Sequence, residues 1–191
     1  VLLVMFISVF FFGIAASRLT VDPSMETLFI KKSPEYQYYQ EYKQKYGSDQ
    51  MIAVAMATQD LFTEANLKTL RNVTNAIASY GQVERGMSLS NSVDIKHKFL
   101  GVRMVPALQG ALEAERSLGE VREEVLKNEL FLKNLVSEDG KIANILVFLK
   151  TAEKHASDSG IFIEQLKEYL ADFERPDLKF YMAGAPVEQY D

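Results

Sequence analysis

The chain opens with VLLVMFISVFFFGIAA, sixteen residues from Val1 to Ala16 without a charge. An α-helix rises about 1.5 Å per residue and the hydrocarbon core of a bilayer is about 30 Å thick, so a span takes about 20 apolar residues. This run is a little short, and it begins with valine rather than methionine. The expectation is a transmembrane helix over 1–17, truncated at its N-terminus. A secretory signal peptide is the rival reading, because the run has the length of an h-region and Ala15, Ala16 and Ser17 suit a cleavage site. Against it, no basic segment precedes the run. A helix buried in a water-soluble protein fits less well, since Phe10, Phe11 and Phe12 in succession leave no polar face.

From Ser17 onward the chain turns polar and periodic, and it is long enough to bury a core. Over all 191 residues, 21 Lys and Arg stand against 26 Asp and Glu, mixed along the chain. Mild acidity without a basic patch argues against nucleic acid as a partner. The absence of cysteine excludes disulfides, zinc thiolate sites and thiol catalysis together.

Residues 18–50 read as a linker followed by a tyrosine-rich helix. Asp22-Pro23 and Ser33-Pro34 mark turns, because the residue before proline is pushed away from helical geometry. A helix is expected from Pro34, with Tyr39, Tyr42 and Tyr46 on one face and Gly47 ending it. Such a stripe reads as packing rather than as a platform for an aromatic ligand.

Residues 51–191 read as one α+β domain built from two βαβ units. In the first, over 51–90, MIAVAMAT (Met51 to Thr58) is a strand. Thr63 then caps a helix, with Phe62 stapled onto Leu67. Leu67, Leu70, Val73 and Ile77 form its apolar stripe, Gly81 is expected to close it in the left-handed C′ conformation, and Val83 to Leu89 is the return strand. In the second, over 139–184, Asp139-Gly140 turns into the strand IANILVFL (Ile142 to Leu149), whose apolar residues, Leu146 among them, are expected at the centre of the fold. Phe162, Leu166, Tyr169, Leu170 and Phe173 mark a helix that Pro176 stops, and Lys179 to Ala183 is the closing strand. Between the units, 91–138 is expected to be a helical insertion. It would hold an irregular apolar stretch from Phe99 to Leu108 and then a long helix carrying Leu118, Val121, Val125 and Leu132. Two such units can pair as a split βαβ, ferredoxin-like sandwich with helices on one face of the sheet.

Chemistry is harder to find. There is no Gly-rich phosphate loop, GxSxG elbow or HExxH helix. Gly86-Met87-Ser88-Leu89-Ser90 is only loosely like the elbow, and it leaves a strand without an evident acid and histidine to complete a triad. His97 near Asp94, and His155 near Glu153 and Asp158, could form a metal site only if the fold gathered them. The pairs Glu123 and Glu124, and Glu113 and Glu115, sit among Lys and Arg and read as solvated helix surface. Asn72-Val73-Thr74 matches the glycosylation pattern but falls inside an expected helix. No catalytic, cofactor-binding or metal residue is nominated, and the expectation is a protein that is not an enzyme.

The order of these pieces resembles the resistance-nodulation-division (RND) superfamily of exporters, in its MmpL-like and hopanoid-transporter-like branch. The matching signs begin with the first apolar run, then Asp22, Leu28-Phe29, Pro34, Tyr39 and Tyr46-Gly47. They continue through the MIAVAMAT strand, Asp60-Leu61-Phe62-Thr63, and Val83 leading to Ser88-Leu89. Leu135-Val136-Ser137-Glu138-Asp139-Gly140-Lys141 before a strand and Gly184-Ala185-Pro186-Val187 complete the series. The resemblance implies a porter domain on the periplasmic side of the inner membrane, in a proton-driven transporter that exports hydrophobic or lipid-like molecules. It implies as partners the membrane, the lipid substrate, the same transporter's second periplasmic loop and membrane helices, and, as an open option, further copies in a homo-oligomer. The family's proton relay lies in later membrane helices and maps onto no residue here. A membrane-anchored periplasmic binding or interaction domain without transport activity is the alternative.

Overall fold

The computed structural model describes residues 2–16, 33–46, 50–98, 101–108, 111, 116–150 and 156–188. The chain divides into two compact units, Val1–Tyr42 and Lys43–Asp191.

In the first unit, α1 (Leu2–Ala16) is a 15-residue helix with no charged residue. Among its described side chains, Met5, Phe6, Val9, Phe10, Phe11, Phe12 and Ile14 are exposed, Phe10 to 72%. At about 1.5 Å per residue it extends about 22 Å. Among the described residues, no helix is long and apolar enough to cross a membrane. The second helix, α2 (Pro34–Tyr46), starts at the proline and ends at the tyrosine that the sequence singled out. Ser33 serves it as a cap, its hydroxyl accepting from the Tyr36 amide at 3.2 Å.

The second unit is a mixed α+β fold around a four-stranded antiparallel sheet. Its strands are β1 (Met51–Thr58), β2 (Val83–Met87), β5 (Ile142–Leu149) and β6 (Leu178–Ala183), in the order β2-β5-β1-β6. β1 and β2 both run antiparallel to β5, which lies between them, and β5 and β6 both run antiparallel to β1. Each strand pair joined through a helix is therefore parallel and separated by one strand of the other pair.

Those helices are α3 (Glu64–Ala78), between β1 and β2, and α5 (Ala156–Ala171), between β5 and β6. α3 begins as its sequence dictates: Thr63 is extended, and its hydroxyl accepts from the Asn66 amide at 3.2 Å. Leu67, Leu70, Val73 and Ile77 are fully buried, each worth about 1.5–3 kcal/mol of transfer from water. The helix closes differently from the expectation. Its C-cap is Ser79 in right-handed geometry, whose N–H still finds the carbonyls of Asn75 and Ala76, so Gly81 is not needed in the left-handed region.

One face of the sheet is dry. Ile52, Val54 and Met56 of β1 lie opposite Val147, Ile145 and Ala143 of β5, and all six are buried. α3 closes over this face at Gly86, where a Cβ would meet Ala78 Cβ at 3.4 Å. Phe162, Ile163 and Leu166 of α5 join the same core, and Tyr80 packs edge-on against Phe162 at 5.4 Å. Leu146 belongs to the opposite, half-exposed face, so the expectation that placed it at the centre fails and Ile145 takes that position.

The insertion is not simply helical. β3 (Val93–Lys98) and β4 (Gly101–Pro106) form an antiparallel hairpin, covering most of the stretch expected to be irregular. Val93, Ile95 and His97 alternate with Asp94, Lys96 and Lys98, and that period of two favours a strand. α4 (Leu118–Lys127) is short, and Leu132 lies beyond it in an isolated bridge to Val136. Asn128 turns extended, and Lys133 adopts φ 67, a left-handed conformation that a helix cannot pass through. Val121 and Val125 are buried as expected.

Candidate functional site

The serine of the elbow-like segment is the first candidate for chemistry, and its surroundings exclude that role. Ser88 is 0% exposed. Its Oγ lies 2.8 Å from Thr74 Oγ1, and the Thr74 hydroxyl donates to the Leu70 carbonyl at 2.7 Å. A hydroxyl has one proton, so with that of Thr74 engaged, Ser88 donates to Thr74. Ser88 Oγ then accepts from the Ser90 hydroxyl at 2.8 Å and from the Ser90 amide at 3.1 Å. Asn91 ties the turn from both sides, accepting from the Ser88 amide and donating to the Gly86 carbonyl. The relay ends on a backbone carbonyl, with no base hydrogen-bonded to it among the described residues. The same network buries the threonine of the Asn72-Val73-Thr74 pattern within α3.

Of the two histidines, only His97 lies among the described residues. His97 is on β3 opposite Val102, and the nearby Asp94 carboxylate accepts from the Asn128 amide nitrogen at 2.7 Å. His155 and Glu153 lie outside the described residues, as do Glu113 and Glu115. Among the described residues, no group of three His, Asp or Glu is placed to hold a metal. Glu123 pairs with Lys127 at 3.0 Å and Glu124 with Arg116 at 3.0 Å, which makes both part of the helix surface.

Two polar clusters missed in the sequence prove to be structural. Arg122 of α4 reaches Asp60 Oδ1 at 3.4 Å and the Asp139 carbonyl at 3.2 Å, and its guanidinium stands 5.8 Å from the Phe62 ring centre. Asn66 donates to the Asp60 carbonyl at 2.7 Å and accepts from Arg175. Together they fasten the β1–α3 corner to α4 and to the entry of β6.

A cleft of about 350 Å³ runs between α5 and β6, lined by Leu170, Ala171, Phe180, Met182 and two charged residues, Lys167 and Glu174. The Glu174 carboxyl is held below its ordinary range by the Lys179 ammonium and the Phe180 amide, which keeps it ionised and unsuited to donate a proton. In the neighbouring stretch of α5, burial pushes the Tyr169 phenol upward, with Tyr80 and Asp172 adding to it.

The best-formed candidate for binding is the open face of the sheet. Ala53, Ala55 and Ala57 form a shallow strip along β1, with Asn144, Leu146 and Phe148 beside them on β5. Tyr181 stands next to Ala55 and is 63% exposed. Arg85 closes the β2 side, its guanidinium 4.5 Å from the Phe148 ring centre. The sequence hid this face because IANILVFL is apolar on both sides. The face can pack against an apolar surface. The sequence matches no family model and no curated protein.

Proposed function

We propose that this chain is part of a proton-driven RND-type exporter of hydrophobic or lipid-like molecules, with residues 51–191 forming a porter domain on the extracytoplasmic side of the inner membrane. The observation that carries the reading is the strand order β2-β5-β1-β6, in which each helix-joined pair encloses a strand of the other. That interleaving supports the reading of a ferredoxin-like split βαβ sandwich, the architecture the resemblance implies. Fold alone does not fix function, so the reading leans equally on the quoted motifs and on α1, a helix apolar on every side. The half-exposed apolar face suits a wall that shifts against a neighbouring subdomain, a shear mechanism that breaks no bond.

The test is reconstitution of the protein as encoded into vesicles loaded with fluorescent lipid, with an imposed proton gradient. Efflux that stops when the gradient is collapsed is the expected outcome. Tight lipid binding without efflux would replace the exporter with a membrane-anchored binding domain. Saturable hydrolysis of ester, phosphate or peptide substrates, lost on changing Ser88 or His97, would replace it with an anchored enzyme.

A further inference from the structure

We infer that the tyrosine face of α2 docks on an anionic lipid surface, lying in the headgroup layer beside the membrane that α1 enters; this rests on the membrane reading of α1 given above. A helix turns 100° per residue, so Tyr38, Tyr39, Tyr42 and Tyr46 fall within an arc of about 100°. Positions Gln37, Gln40, Glu41 and Gln44 take the other side. The face is open: Tyr38 is 72% exposed and Tyr42 52%, and with Pro34, Glu35 and Tyr39 they line a shallow groove of about 470 Å³.

Three observations choose lipid as the occupant. The first is residue type. Tyrosine presents an apolar ring with a hydroxyl that stays wet, which is why it collects at membrane interfaces, whereas a groove for an apolar helix would be lined by Leu, Met or Phe. The second is charge. Lys31, Lys32, Lys43 and Lys45 bracket the stripe against only Glu35 and Glu41, so residues 31–46 are basic within a chain whose net charge is −5. Lysines on both sides of an aromatic stretch in the sequence match a layer of anionic headgroups. The third is reach. Seventeen residues separate Ala16 from Pro34, at most about 60 Å of extended chain, so α2 is held at high local concentration beside any membrane that contains α1.

The chain contains no tryptophan, which makes each single Trp variant a clean reporter. The protein is placed in phosphatidylcholine vesicles containing phosphatidylglycerol, with lipids brominated at shallow or deep acyl carbons. Tyr42→Trp should be quenched by the shallow bromines and Phe10→Trp by the deep ones, while Tyr181→Trp responds only to aqueous acrylamide. Adding Lys43→Gln and Lys45→Gln, or omitting phosphatidylglycerol, should weaken the Tyr42→Trp quenching several-fold. Deep quenching at Phe10→Trp with none at Tyr42→Trp overturns the docking of α2 and leaves the membrane reading of α1 standing. Absence of lipid quenching at both positions overturns the two together. A Tyr42→Trp signal shielded from acrylamide and lipid alike assigns the face to a protein contact and overturns the proposal.

Discussion

The hydroxyls of Thr74 and Ser88 lie 2.8 Å apart in the buried layer between α3 and the end of β2, the middle of a relay from Ser90 to the Leu70 carbonyl. Thr74→Val keeps the shape and strands the Ser88 proton, and an unsatisfied buried hydroxyl costs about 1–3 kcal/mol. Ser88→Ala removes that proton together with the acceptor of the Ser90 hydroxyl and amide, so it should also destabilise. The double variant should fall short of the sum of the singles by about 0.5 kcal/mol or more, measured by urea denaturation. Additive losses would show that the two hydroxyls are not coupled.

Gly184 adopts φ 130, and a Cβ there would lie 2.4 Å from the Met51 carbonyl oxygen. Both the conformation and the space require glycine. Gly184→Ala should cost more than the about 1–3 kcal/mol of a strained backbone alone, because the carbonyl at the start of β1 must also move. Gly81→Ala, where nothing lies within 4 Å, should change stability by about 0.5 kcal/mol or less. A melting temperature for Gly184→Ala equal to that of Gly81→Ala would count against the β6–α6 corner, where α6 is Ala185–Glu188.

Adjacent residues of β5 should differ sharply in tolerance. Ile145→Asp puts an unpaired carboxylate into the dry face and should cost several kcal/mol, enough to abolish a cooperative melt. Leu146→Asp, on the half-exposed face, should still fold at lower stability, and Glu123→Ala should be nearly neutral. If Leu146→Asp proved the more damaging of the two, the sheet would face the other way.

Acid should weaken the domain through its turns. The Asp139 carboxyl is held below its ordinary range by the Ser137 hydroxyl and then by the Lys141 amide, and Glu174 is held low by Lys179 and the Phe180 amide. A lowered folded value means that stability is fully present above the ordinary carboxylate pKa of about 4 and is lost as pH falls through the folded value. Asp139→Asn and Glu174→Gln should each flatten the acid limb of a plot of melting temperature against pH. An unchanged slope in both would remove these carboxylates from the account.

How much of this was legible beforehand depends on how local the cause is. Thr63 capping and the Leu67–Ile77 stripe are set by neighbours within a few turns, and the helix appears where they put it. The hairpin was missed because its alternation spans only six residues per strand, and α4 is shorter than its stripe because Asn128 turns extended, a conformation that no periodicity reveals. The open face was hidden in a different way: alanines on β1 and Leu146 and Phe148 on β5 are as apolar as the residues behind them, so composition does not say which side is covered. The burial of Ser88 depends on Thr74 from another element, a partner that becomes visible only once the chain is folded.

The strand order also sets a timetable for synthesis. Ala57 pairs with Ile142, 85 residues later, and β2 finds its partner only when the same strand arrives. At about 5–20 residues per second of translation, β1 leaves the ribosome several seconds before anything can cover its apolar edge. Among the described elements, only α3, the β3–β4 hairpin and α4 can form from neighbouring residues in that interval. Because long-range closures also slow folding, the nascent first half is the species on which a chaperone has time to act, and β5 is the strand whose arrival ends the wait.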